Sequence, residues 1–125
     1  MKSKILIVED DMIQSRMLEH TLTKEGYQVL SSIDGFEALE ILKNNIVDLI
    51  ISDVLMDKMD GFELKKQINK NPEWKKIPFI FLTNQNNAES KSLAEEIGAE
   101  LFLIKPYVKF NISDIVKNLV PIKQF

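Results

Sequence analysis

The chain contains no cysteine. A disulfide framework is therefore excluded, and so is any thiolate metal site. There is one histidine, His20, which rules out a histidine-rich metal cluster and leaves a Ser-His-Asp triad without spare parts. Nor is there an excess of basic charge: 16 basic and 19 acidic residues leave a net charge of -3. That balance gives no basic footprint for nucleic acid and no polybasic patch for a membrane surface. The opening "MKSKILIVEDD" has a short apolar run that stops at acids after Val8. It is too short for a signal peptide or a membrane span, so a cytoplasmic protein is expected. No G-x-G-x-x-G follows it, which disfavours a dinucleotide-binding domain. Linkers and low-complexity segments are also absent.

What is present is ordinary for a soluble globular protein: 125 residues, 45% hydrophobic and 28% charged. One domain over residues 1–125 is expected, with a core to 120 and a tail over 121–125. Short apolar runs alternate with amphipathic stretches. "KILIV", "YQVLSS", "DLIIS", "IPFIFLT" and "ELFLI" have the length and composition of buried strands. Between them, residues 11–25 place Ile13, Met17, Leu18 and Leu22 at helical spacing, with Gly26 as a stop. "DGFE" occurs twice, at 34–37 and 60–63, and each copy sets a capping Asp three residues before a Glu. Phe36, Leu39, Ile41 and Leu42 supply the apolar content of the first of these helices, and Leu93, Ala94 and Ile97 face inward from a later one. "NISDIVKNLV" closes the chain as a helix. The pattern is (βα) five times over, which predicts a parallel sheet covered on both faces. Ligands of such folds sit beyond the carboxyl ends of the strands.

Those ends carry Glu9, Asp10 and Asp11 on the first strand, Asp53 on the third, Thr83 on the fourth and Lys105 on the fifth. If the first and third strands are neighbours, carboxylates converge. Two of them about 4 Å apart repel by roughly 4 kcal/mol at an effective dielectric of 20. A divalent cation removes that penalty, and an all-oxygen set suits Mg²⁺. Acids, metal, lysine and hydroxyl together describe a site for a transferring phosphoryl group, in which a carboxylate can be the nucleophile.

In this order and spacing, "ILIVEDD", "DVLMDKMDGFEL", "FIFLT" and "FLIKPY" resemble the receiver domain of two-component response regulators. The resemblance covers essentially the whole chain and rests on the four motifs together. It implies a flavodoxin-like, doubly wound sheet of strand order 2-1-3-4-5. It makes Asp53 the phosphoacceptor, with Mg²⁺ held directly by Asp10, through water by Glu9, and by Asp53 and the backbone carbonyl of Leu55. Thr83 and Lys105 match the residues that contact the phosphoryl group, and Phe102 matches the switch aromatic. The Lys105–Pro106 bond would be cis. The implied partners are a histidine kinase or histidine phosphotransfer protein upstream and a protein or effector domain downstream. A phosphorylation-dependent homodimer is admitted; direct nucleic acid binding and membrane contact are not expected. The output face would be the fourth helix, fifth strand and closing helix, roughly Ala88 to Lys117. Beyond self-catalysed phosphotransfer and slow autodephosphorylation, no enzymatic activity is implied.

Two positions depart from the family pattern. Asp57 replaces a usual proline, which loosens its loop and adds a charge, and Asn84 stands where a small residue is common. Two other functions compete. A Mg²⁺-dependent aspartyl-phosphate hydrolase would want a second acid two residues past its nucleophile, where this chain has Leu55. A degenerate receiver, acting as a constitutive binding or dimerisation module, would not need to keep all five chemical positions. No DNA-binding or catalytic segment follows Pro121, so either a complete single-domain regulator or a receiver from a longer protein is expected. Plainer roles suit the remaining candidates: Asp11 as a helix cap, His20 on the surface, and Trp74 anchoring the loop before the fourth strand.

Overall fold

A computed structural model describes residues 2–56, 58–84, 88–105 and 112–120. The elements run β1 (Lys4–Val8), α1 (Met12–Lys24), β2 (Gln28–Ser32), α2 (Gly35–Asn44), β3 (Leu49–Asp53), α3 (Gly61–Asn69), α4 (Pro72–Lys75), β4 (Phe79–Thr83), α5 (Ala88–Glu96), β5 (Leu101–Ile104) and α6 (Ile112–Leu119). All pairings are parallel, and the strand order is β2-β1-β3-β4-β5. This is the expected flavodoxin-like sheet. With β1 and β3 adjacent, Val8 stands opposite Ser52, so Glu9, just past β1, and Asp53, the last residue of β3, emerge side by side.

Strand alternation divides the core into two layers. Leu6, Val8, Ile50, Phe79 and Phe81 point to one face, against Ala38 and Leu42 of α2, Leu64 and Ile68 of α3, and Ala94 of α5. Ile5, Ile7, Leu49, Ile51, Ile80 and Leu82 point to the other, against Leu18 and Leu22 of α1 and Ile112 and Val116 of α6. Two ties secure α6: the Tyr27 hydroxyl donates to the Val120 carbonyl at 2.6 Å, and Lys117 pairs with Glu25 at 2.8 Å.

Helix faces differ from expectation in two places. Ile13 is 73% exposed and Met17 is exposed as well, while Ser15, Leu18 and Leu22 face the sheet. At about 100° per residue, Ile13 and Met17 share one stripe and Leu18 and Leu22 another, nearly opposite. Phe36 is also exposed, because Ala38 and Leu42 take the inward face of α2. A one-turn helix, α4, replaces the loop expected around Trp74. Asn71 caps it by accepting from the Glu73 and Trp74 amides, and Pro72 stands at its first position. Trp74 is half-buried against the core.

Lys65 of α3 is buried, with its Nζ 5.6 Å from the centre of the Phe79 ring. Burial lowers its pKa below 10.5; Glu100 opposes this and Lys75 adds to it. The unfolded chain therefore keeps this proton to higher pH than the folded one, and stability rises with pH through the window that ends at 10.5. Lys65→Met is expected to stabilise the fold at pH 7 by about 1 kcal/mol, the low end for replacing a buried charge with hydrocarbon of similar volume. In urea denaturation the gain should shrink as pH approaches 10.5. A gain independent of pH would mean that the charge is not what costs stability.

Candidate functional site

Glu9 continues β1 by one residue, its amide donating to the Ser32 carbonyl at 3.0 Å. Its side chain is thereby fixed at the sheet edge, and it is buried. Asp10 is exposed beside it. Asp11 caps α1 through the Ile13 and Gln14 amides, as expected, and so is occupied elsewhere. Asp53 is the last residue of β3 and is half-buried. Its Oδ1 accepts from the Val54 amide at 2.7 Å. Among the described residues, Glu9, Asp10 and Asp53 form a cluster whose carboxylate oxygens lie within 4.8 Å of one another.

Lys105 enters from β5, where its amide donates to the Thr83 carbonyl at 2.8 Å. Its ammonium reaches across the strand ends to Glu9 Oε1 at 2.5 Å and Asp53 Oδ2 at 3.2 Å, with the side chain only 8% exposed. Burial pushes Glu9 above the usual carboxylate range, and Asp53 adds to the push against the opposing pull of Lys105. Burial alone would lower Lys105, but the hydrogen bond it donates to Glu9 and the charges of both acids hold it above its ordinary value. The lysine is thus charged and shared between two acids. Three carboxylates and one lysine leave an excess of negative charge, and hard oxygen donors this close fit a small divalent cation.

Thr83 ends β4 and is buried one position past Leu82, the register partner of Asp53. Asn84 follows it, exposed. Phe102 is half-buried on β5, opposite Phe81, with ring centres 6.4 Å apart. Leu55 is exposed. The expected cis bond before Pro106, the substituted Asp57 and the tail over 121–125 all lie outside the described residues.

Sequence reasoning missed two supports of this site. Gly61 donates its amide to the Val54 carbonyl at 2.7 Å, and a Cβ on it would collide with the Asp53 carbonyl oxygen. The repeated "DGFE" carries the signal, since its glycine follows the capping Asp at the point where the loop returns to β3. Gln14 has a buried Oε1 without a hydrogen-bond partner, beside a cavity of about 10 Å³ also lined by Glu9, Asp53 and Lys105. A lone Gln in a helix gives no such sign.

Residues 5–117 match the sequence profile of the response regulator receiver domain. The chain belongs to that family. It is 32% identical over 120 residues to a probable transcriptional regulator, ycf29, of Pyropia yezoensis, covering 96% of this chain and 54% of that protein. It is equally 32% identical over 120 residues to the alkaline phosphatase synthesis transcriptional regulatory protein PhoP of Bacillus subtilis, covering 96% and 49%. The chain therefore spans about half the length of these relatives. Among solved structures, the chemotaxis protein CheY4 of Vibrio cholerae superimposes with a TM-score of 0.90 at 32% identity, covering 96% of this chain and 100% of that one. As a receiver domain the chain is a signalling module of two-component response regulators. Among the described residues, no helix is long and apolar enough to cross a membrane.

Proposed function

We propose that Asp53 accepts a phosphoryl group from the phosphohistidine of a histidine kinase or phosphotransfer protein. The observation that carries this reading is the convergence of Glu9, Asp10 and Asp53 around the ammonium of Lys105. An Asp53 carboxylate oxygen forms the new P–O bond as the P–N bond breaks, and the histidine nitrogen leaves. Asp10, Asp53 and the Leu55 carbonyl would hold Mg²⁺, with Glu9 reaching it through water. The ion supplies positive charge that offsets the carboxylates and the transferring group. Lys105 turns from Asp53 Oδ2 to a phosphoryl oxygen, and the Thr83 hydroxyl donates to another. Leu55 offers no general acid two residues past Asp53, which disfavours turnover by a hydrolase. Ile13 and Met17 on α1 and Leu55 after β3 are exposed apolar side chains that the phosphodonor protein can cover. A relay of this kind would run in the cytoplasm.

The output face is α5, β5 and α6, presented to a downstream protein, an effector domain or a second copy. Thr83 moves toward the phosphoryl group and vacates space beside β5. Phe102, half-buried, then turns inward and buries apolar area worth roughly 1–3 kcal/mol. An equilibrium between two conformations responds only to a differential of this kind. Beryllofluoride, a phosphoryl mimic, should shift amide resonances of α5 and around Phe102 as well as those near Asp53. Shifts confined to the surroundings of Asp53 would mean that the chain lacks the switch.

A further inference from the structure

Between Val54 and Gly61 the sequence has no proline, so no ring restricts the backbone of the loop after β3. Leu55, whose carbonyl enters the proposed metal shell, is 57% exposed on that loop. The Gly61 amide closes the loop on the Val54 carbonyl, and two contacts to the first turn of α2 brace the stretch between from outside. Lys58 Nζ stands 3.9 Å from Asp34 Oδ2, while Asp34 Oδ1 caps the helix through the Glu37 amide. That pair is long and its lysine exposed, so it holds little.

The stronger brace is Met59. It is buried, and its side chain lies flat across Gly35, the first residue of α2. A Cβ added to Gly35 would stand 2.6 Å from Met59 Sδ and 2.9 Å from both its Cβ and Cγ. Backbone conformation does not explain this glycine, because positive φ is confined to Gly26 and Gly98 among the described glycines. Helix propensity argues against it, since alanine is better in a helix by about 1 kcal/mol. The volume claimed by Met59 is what requires a residue without a side chain. Gly61 pins the far end of the same loop against the Asp53 backbone.

We propose that Gly35 is a positioning residue for the acceptor loop. By leaving room for Met59, it holds the Leu55 carbonyl where a cation on Glu9, Asp10 and Asp53 meets it, and so sets divalent affinity. This inference rests on the proposed metal role of those residues.

The test is a Mg²⁺ titration followed by the Asp53 and Leu55 amide resonances, in the wild type and three variants. Gly35→Ala displaces Met59, and Met59→Ala removes the brace without touching α2. Both should weaken Mg²⁺ binding by about tenfold, the usual scale when groups that orient a ligand are disturbed. Leu42→Ala opens a cavity under the same helix, away from the loop. It should lower the melting temperature and leave affinity unchanged. Wild-type affinity in both loop variants would overturn the inference, and so would an equal loss in Leu42→Ala. Should Gly35→Ala fail to fold, Met59→Ala decides alone. A wild type that binds no Mg²⁺ would sink the metal reading itself; wild-type binding with no response in the loop variants would sink only the role of Gly35.

Discussion

Incubated with acetyl phosphate and Mg²⁺, the chain should gain one phosphoryl group in an intact-mass spectrum, and Asp53→Asn should gain none. Among the described residues, this carboxylate alone at the strand ends combines partial exposure, rigidity and a neighbouring cation. Glu9 is more deeply buried and held by Lys105 at 2.5 Å. Asp10 is exposed but has no lysine contact among the described residues. Asp53 has Oδ1 fixed by the Val54 amide and Oδ2 shared with Lys105, an orientation set by backbone on one side and by charge on the other. An Asn side chain keeps the shape and loses the nucleophile. Chelation of Mg²⁺, or Asp10→Ala, should also suppress labelling, because either leaves the incoming phosphoryl charge facing bare carboxylates. Labelling of Asp53→Asn at the wild-type level would refute the assignment.

Removal of Lys105 should have the largest effect on stability. Lys105→Met leaves Glu9 and Asp53 facing each other without the ammonium that now lies between them. Breaking a buried ion pair from one side typically costs about 3–5 kcal/mol, because the remaining charge stays desolvated. Glu9 is already displaced upward by burial and by Asp53, and it would lose its main compensation. Urea denaturation without divalent ions should show that loss. Added Mg²⁺ should return part of it, since a ligand that binds only the folded chain stabilises it by mass action. A variant as stable as the wild type without Mg²⁺ would show that solvent already screens the acids.

Much of this arrangement was legible because strands buried on both faces must read as apolar runs. A run that ends in Asp53 or Lys105 therefore announces a charge at the sheet edge. The caps at Asp34 and Asp60 were legible for a local reason: each side chain accepts an amide three residues ahead, at 2.8 Å. What failed were properties set by distant partners. Ile13 and Leu18 look alike in sequence, and only the position of the sheet decides which of them is covered. The grip of Lys105 on Glu9 and the seat of Met59 on Gly35 join separate elements, and no periodicity encodes them. The helical turn at Pro72–Lys75 was missed although Asn71 and Pro72 signalled it. At four residues it is too short to show a repeating pattern.

The lysine bridge also bears on how the chain folds. Lys105 meets Glu9 across 96 residues of sequence and Asp53 across 52. Loops of that length close late, because their entropy is lost before the contact repays it. Until β5 docks, a chain emerging in order from its N-terminus holds its acids together without the lysine between them. The acidic edge therefore opposes assembly of β1 and β3 until the last strand arrives. On the proposed role of Asp53, competence to receive phosphate would arrive only with the strand that completes the sheet.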